Sequence, residues 1–226
     1  MARSPDTIIL FAKFPQPGRV KTRLIGALTP EQAAEVYHRL LVLSLDTLRA
    51  VANARIILAG APDAADFSEY IDSRVEFRPQ GDGDLGKRLS RGITAAFEAG
   101  SPRVIVVGAD CPRMESGDLS RAFELLGGHD VVIGPAIDGG YYLLGLRRPA
   151  PTLLEGIDWS SDRVLGQTQA RAAATGLRVA LLETRRDVDT IEDIRSLVDG
   201  CSDDNVRLGD FRAYLKVLIE GVSRDD

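Results

Sequence analysis

Val104-Ile105-Val106-Val107-Gly108-Ala109-Asp110-Cys111-Pro112 is the stretch that decides the fold. Four β-branched residues in a row read as a strand buried on both faces, which is the habit of a parallel sheet covered by helices. The strand stops at a glycine, and an acid follows at its carboxyl end. Packing gives no reason for an acid there. Working outward, short β-branched runs at 7–11, 55–59, 75–78, 131–134, 141–145 and 178–182 alternate with longer amphipathic stretches. That rhythm predicts an α/β protein with a mostly parallel central sheet. Helices are expected at 30–50, 63–71, 86–99, 118–126, 162–175, 191–199 and 211–220, with a loop over 200–209. The first is the best marked. Thr29 is its cap, Pro30 stands at the first helical position, and Gln32 completes a capping box. Ala33, Tyr37, Leu40, Leu41, Ser44 and Leu48 share one face. The rhythm breaks once, where Asp138-Gly139-Gly140 joins two runs with no room for a crossover helix, so one strand should run antiparallel.

The totals bound the rest. A chain of 226 residues with 44% hydrophobic residues suits one large domain, 1–226, with a continuous core. The 28 basic and 33 acidic residues leave a net charge of −5, which argues against a nucleic-acid or anionic-membrane surface. Two cysteines, Cys111 and Cys201, and two histidines, His38 and His129, make a zinc site improbable on spacing. Residues 1–6 show no signal peptide, and no apolar run is long enough to span a membrane. A cytoplasmic protein is the expectation.

Ligands of open α/β sheets bind beyond the carboxyl ends of the strands. The first such loop reads Ala12-Lys13-Phe14-Pro15-Gln16-Pro17-Gly18-Arg19-Val20-Lys21-Thr22-Arg23-Leu24. Its four cations suit a polyphosphate, since arginine offers a planar fork and lysine a compact charge. A solvated basic loop is the plain alternative. It is not a P-loop. The second, Gln80-Gly81-Asp82-Gly83-Asp84-Leu85-Gly86, is formally a G-x-G-x-x-G, but it follows the third strand and carries two acids where a pyrophosphate would be repelled. A structural turn explains it equally.

Asp110 is suited to magnesium, which takes one or two carboxylates with phosphate oxygens; a turn or capping acid is the alternative. Asp187-Val188-Asp189-Thr190-Ile191-Glu192-Asp193 offers partners, where capping by Thr190 or Asp189 accounts for one acid but not three. Gly134-Pro135-Ala136-Ile137-Asp138-Gly139-Gly140-Tyr141-Tyr142 suits an acceptor pocket or a plain hairpin. Trp159-Ser160 is a rim, a lid, or a buried Trp.

Taken together, these loops resemble the GT-A-type nucleotide-diphosphosugar transferase superfamily, and more narrowly the radical-SAM/selenodomain-associated transferase family. The resemblance rests on segments 11–24, 80–88, 108–112 and 134–142, with Trp159-Ser160 and 187–190. The segment Lys21-Thr22-Arg23-Leu24 also resembles that of 2-phospholactate guanylyltransferases. The resemblance implies a three-layer, Rossmann-like GT-A fold. It implies nucleotide binding by Ala12, Lys13, Gly18, Lys21, Arg23, Gln80, Gly86 and Arg88. It further implies Mg2+ or Mn2+ held by Asp110 and Asp189, catalytic roles for Lys21, Arg23 and Asp110, and acceptor contacts from Asp138, Gly139, Gly140 and Tyr141. Two departures stand out. The glycine-rich opening of sugar-nucleotide pyrophosphorylases is replaced by a proline-containing loop, and Asp110-Cys111-Pro112 lacks the Asp-x-Asp pair of glycosyltransferases. The second favours nucleotidyl transfer from a nucleoside triphosphate to a small anionic or phosphorylated acceptor. Glycosyl transfer from a sugar nucleotide and a non-catalytic nucleotide-binding domain are the alternatives.

Overall fold

The computed structural model describes residues 5–200 and 206–222. Cys201 and half of the expected 200–209 loop lie outside them, as do residues 1–4 and 223–226. Seven strands form one sheet in the order β3-β2-β1-β4-β6-β5-β7. They are β1 (Asp6–Lys13), β2 (Ala54–Ala61), β3 (Val75–Pro79), β4 (Val104–Gly108), β5 (Val131–Pro135), β6 (Tyr141–Leu146) and β7 (Val179–Leu181). β1 pairs in parallel with β2 and β4, and β5 with β7. β6 alone is reversed, pairing antiparallel with both β4 and β5. The break in the sequence rhythm at Asp138-Gly139-Gly140 has this cause.

The helices are α1 (Pro30–Arg49), α2 (Leu85–Glu98), α3 (Ser116–Leu125), α4 (Val164–Ala174), α5 (Ile191–Asp199) and α6 (Val206–Val222). Alternation along β1 builds three layers. Ile8 and Leu10 join α1 and α3 through Leu41, Leu45, Leu119 and Ala122. Ile9, between them, faces the other way, toward Leu89, Ile93 and Ala96 of α2. Each such burial contributes roughly 1.5–3 kcal/mol. α1 is apolar on a second face as well. There Val36, Leu40 and Leu43 pack with Leu24, Ile194 of α5 and Phe211 and Leu215 of α6. The terminal helices therefore hold the segment that follows β1.

The capping box at Thr29 and Gln32 forms as read from the sequence. The helix expected at 63–71 does not. Only a 3-10 turn, Ser68–Tyr70, is present there. Asp66 accepts from Ser68 N at 2.9 Å, a local bond that competes with helix formation. Phe67 is pulled into the core, stacked on Phe77 at 5.3 Å and covering Gly60, where a Cβ would meet its ring at 2.5 Å. α6 begins five residues before the expected 211.

Candidate active site

The carboxyl ends of β1 and β4 and the amino end of the reversed β6 open into a cleft of about 730 Å³. Its geometry begins with Lys21, which adopts a left-handed backbone (φ 46, ψ 41) before the 3-10 turn Thr22–Leu24. Leu24, fully buried, anchors that turn. The bend sends Lys21 inward, with a side chain 3% exposed, and leaves Arg23 outside at 66%. The Lys21 ammonium donates to Asp110, to Asp189 Oδ1 at 2.8 Å and to Val188 O at 2.5 Å. All three of its N–H bonds are thus taken by protein oxygens. Lys21, expected at the phosphates, is bonded here to two carboxylates. Burial alone would lower its pKa, but the charges and hydrogen bonds of Asp110 and Asp189 outweigh burial and hold it above the usual lysine value.

Asp110 follows β4, and Asp189 precedes α5. They meet because Val188 N donates to Asp110 O at 2.9 Å, which ties the two loops together. Capping of α5 falls to Thr190 and Asp193, which bond reciprocally. That leaves the Asp189 carboxylate to Lys21 and, at 3.7 Å, Arg23. Asp187 is the third acid of the loop. Burial first, and then the charges of Asp110 and Asp138, push its pKa up to about 7, with Lys21 opposing. Its Oδ1 is buried without a hydrogen-bond partner.

Lys13, Arg23, Gln80 and Arg88 also line the cleft, with Ala12. Gln80 has both of its amide N–H bonds engaged within the protein. Its amide donates to Ala12 O at 2.9 Å and Ala59 O at 2.8 Å, bracing β1 against β2. The glycine loop is equally committed. Arg88 Nε reaches Gly83 O (2.7 Å), while Arg91 reaches Gln80 O (2.6 Å) and Asp82 O (2.9 Å). Asp84 caps α2. Held by its carbonyls, this loop is a structural turn, not a dinucleotide fingerprint. Gly86 is buried against the Trp159 indole and Leu154 O, outside the cleft lining. Gly18, an exposed turn glycine at φ 73, also lies outside the lining, as does Arg19.

Asp138, Gly140 and Tyr141 line the opposite half, on a β5–β6 hairpin where Asp138 accepts from Gly140 N at 2.9 Å. Gly139 instead abuts the Asp162 backbone so closely that a Cβ would meet Asp162 O at 2.2 Å. The contact brings in residues not singled out from sequence, Ser161 and Asp162, beside Trp159 and Ser160. Tyr141 packs edge-on to Trp159, centroids 6.4 Å apart. Asp138, Asp162 and Asp187 face this half, and no Lys or Arg lines it among the described residues. Tyr37 was also unforeseen as a lining residue. Its ring lies 5.8 Å from Lys21 Nζ, and its hydroxyl accepts from Lys13 N at 2.9 Å.

Residues 44–161 match a family model described as an uncharacterized protein conserved in bacteria, DUF2064. The chain belongs to that family. The DUF2064 match spans Gln80, Asp110, Asp138 and Trp159 but stops short of Lys21 and Asp189 on either side. No curated protein matches. Among solved structures, a provisionally assigned nucleotide-diphospho-sugar transferase from Desulfovibrio desulfuricans G20 is 30% identical, with a TM-score of 0.88 over 96% of this chain and 97% of that one. Two others share the fold at lower identity. One is a CMP:2-keto-3-deoxy-manno-octonic acid synthetase complexed with CTP (13% identical, TM-score 0.54, 86% and 98% covered). The other is Rv0371C of Mycobacterium tuberculosis H37Rv complexed with manganese (17%, 0.53, 87% and 100%). The three-layer sheet with its reversed strand is therefore that of nucleotide-diphospho-sugar transferase-like proteins. Among the described residues no helix is long and apolar enough to cross a membrane.

Proposed function

We propose that this protein is a dication-dependent nucleotidyltransferase of the radical-SAM/selenodomain-associated type, taking a nucleoside triphosphate as donor and releasing pyrophosphate. The observation that supports it most is the meeting of Asp110 and Asp189 at one ammonium, with Arg23 beside them. Among the described residues no three acidic, imidazole or thiol side chains converge closely enough to cage an ion. Magnesium needs no such cage. It accepts one or two carboxylates and keeps water and phosphate oxygens for the rest. Asp110 and Asp189 supply hard oxygens and are 42% and 37% exposed toward the cleft, so the donor set fits. When bound there, such an ion would neutralise phosphate charge, an effect worth several kcal/mol in the transition state.

The chain's own contribution is placement. Lys21 positions the two metal-binding carboxylates and offsets their repulsion. Arg23, Lys13 and Arg88 face the phosphates and, with them, fix the α-phosphorus before the acceptor half. Glycosyl transfer from a sugar nucleotide is the second reading, favoured by the Desulfovibrio neighbour's assignment.

The test is a thermal-shift screen of triphosphates and sugar nucleotides, each with and without magnesium, followed by product analysis. A magnesium-dependent shift with a triphosphate, abolished in Asp110→Asn, and release of pyrophosphate are the expected results. Release of nucleoside diphosphate would favour the second reading. A shift with neither class would remove both.

A further inference from the structure

The cleft is divided by charge. Every cation among its described lining residues (Lys13, Lys21, Arg23 and Arg88) belongs to the half built on β1 and α2. The other half presents Asp138 and Asp162, which take no part in the Asp110–Lys21–Asp189 contact, and Asp187, whose Oδ1 is buried without a donor. Its remaining surface is aromatic and hydroxylated: Trp159, Tyr141 and Ser161. Gly139 fixes this wall, because its missing side chain lets the hairpin seat on Asp162.

We propose that the acceptor is an uncharged or cationic molecule bearing a hydroxyl or amine, with a ring or quaternary ammonium seated against Trp159 and Tyr141, and not a phosphorylated one. The inference rests on the nucleotidyl-transfer reading and deepens it. Two points carry it. A phosphate in this half would meet the carboxylates of Asp138 and Asp162 with no Lys or Arg among the described lining residues to offset them, and like charges brought together in a partly desolvated site are strongly disfavoured. An edge-to-face aromatic pair offers a flat apolar wall to a sugar-like ring and a negative face to a cation. In the transfer itself the acceptor oxygen or nitrogen bonds to the α-phosphorus. The bond from that phosphorus to the bridging oxygen breaks, its electron pair leaving with pyrophosphate. The acceptor proton passes to the facing carboxylates and on to water.

Trp159 is the chain's single tryptophan, so its fluorescence reports on this half directly. The probes are matched pairs, choline with phosphocholine and glucosamine with glucosamine 1-phosphate. Each is titrated against the full chain, alone and with magnesium and the triphosphate that gives the largest thermal shift. The unphosphorylated member of at least one pair is expected to bind at least tenfold more tightly than its ester. In the double variant Asp138→Asn with Asp162→Asn the preference should shrink to threefold or less. Equal or tighter binding of the esters, or no change in Trp159 emission with any probe, overturns the proposal. Since triphosphate binding is scored separately by thermal shift, a failure here leaves the donor reading standing, whereas absence of that shift brings the donor reading down.

Discussion

Lys21 Nζ lies 2.8 Å from Asp189 Oδ1 and at the same time touches Asp110, so one ammonium joins acids from two loops far apart in the sequence. The ammonium is buried, while both carboxylates are partly open to the cleft. Breaking a fully buried pair costs about 3–5 kcal/mol, and partial exposure reduces that.

Lys21→Met should therefore lose about 2–3 kcal/mol in the presence of a chelator, or roughly 5–10 °C in Tm. The variant leaves Asp110 and Asp189 without their shared ammonium, with Arg23 at 3.7 Å from Asp189 alone. Magnesium or manganese should then stabilise it more than wild type. Differential scanning with and without dication measures both effects. A variant indifferent to dications would remove Asp110 and Asp189 as ligands.

Asp187 gives a pH signature. Its carboxyl is held near pKa 7 by burial and by Asp110 and Asp138, far above 3.8. Between those values the folded chain keeps a proton that the unfolded chain has lost, so stability falls as pH rises from about 4 to 7. In chelator, Asp187→Asn should flatten this slope and be the more stable protein at pH 8. A slope unchanged by the substitution would show that other groups cause it.

The layers and the reversed strand were legible because buried parallel strands leave long β-branched runs, and because three residues, Asp138-Gly139-Gly140, cannot hold a crossover helix. Asp110 stood out because an acid at a strand end has no packing role, and Asp189 because helix capping accounts for one acid of its loop but not three. What pairs across the cleft was not legible. Lys21 reads like its neighbours Arg19 and Arg23, and only the left-handed turn anchored by Leu24 sends it inward. Gln80 and Gly86 sit in a recognisable loop, yet their partners, Ala59 O and Trp159, come from remote segments that no local pattern encodes. Asp162 enters only because Gly139 lets two backbones touch.

Gly86 illustrates the cost of such contacts. A Cβ there would lie 2.7 Å from Trp159 Nε1 and 2.9 Å from Leu154 O. Alanine is otherwise the better helix former by about 1 kcal/mol. The backbone carbonyl cannot swing aside as a side chain can, so overpacking, at about 1–3 kcal/mol, should win. Gly86→Ala is expected to lower Tm and shift Trp159 emission to longer wavelength. An unshifted emission with raised Tm would mean that Trp159 yields freely.

Gln80 supplies the sharpest electrostatic test. It is 6% exposed, and its amide nitrogen is the donor for two main-chain carbonyls, Ala12 O and Ala59 O. Gln80→Glu keeps the shape but turns a donor into an acceptor facing two acceptors. Burial against two acceptors raises the folded pKa of such a carboxyl, which therefore stays protonated, and its one O–H can still satisfy one carbonyl. At pH 5 the variant should lose about 1–2 kcal/mol, the net value of roughly one hydrogen bond. At pH 8 ionisation in the unfolded chain adds to the loss, because the folded state binds the extra proton. The Tm difference from wild type should thus widen between pH 5 and pH 8. A pH-independent difference would mean that the loop after β3 opens to hydrate the carboxylate, and that Gln80 does not brace β1 against β2.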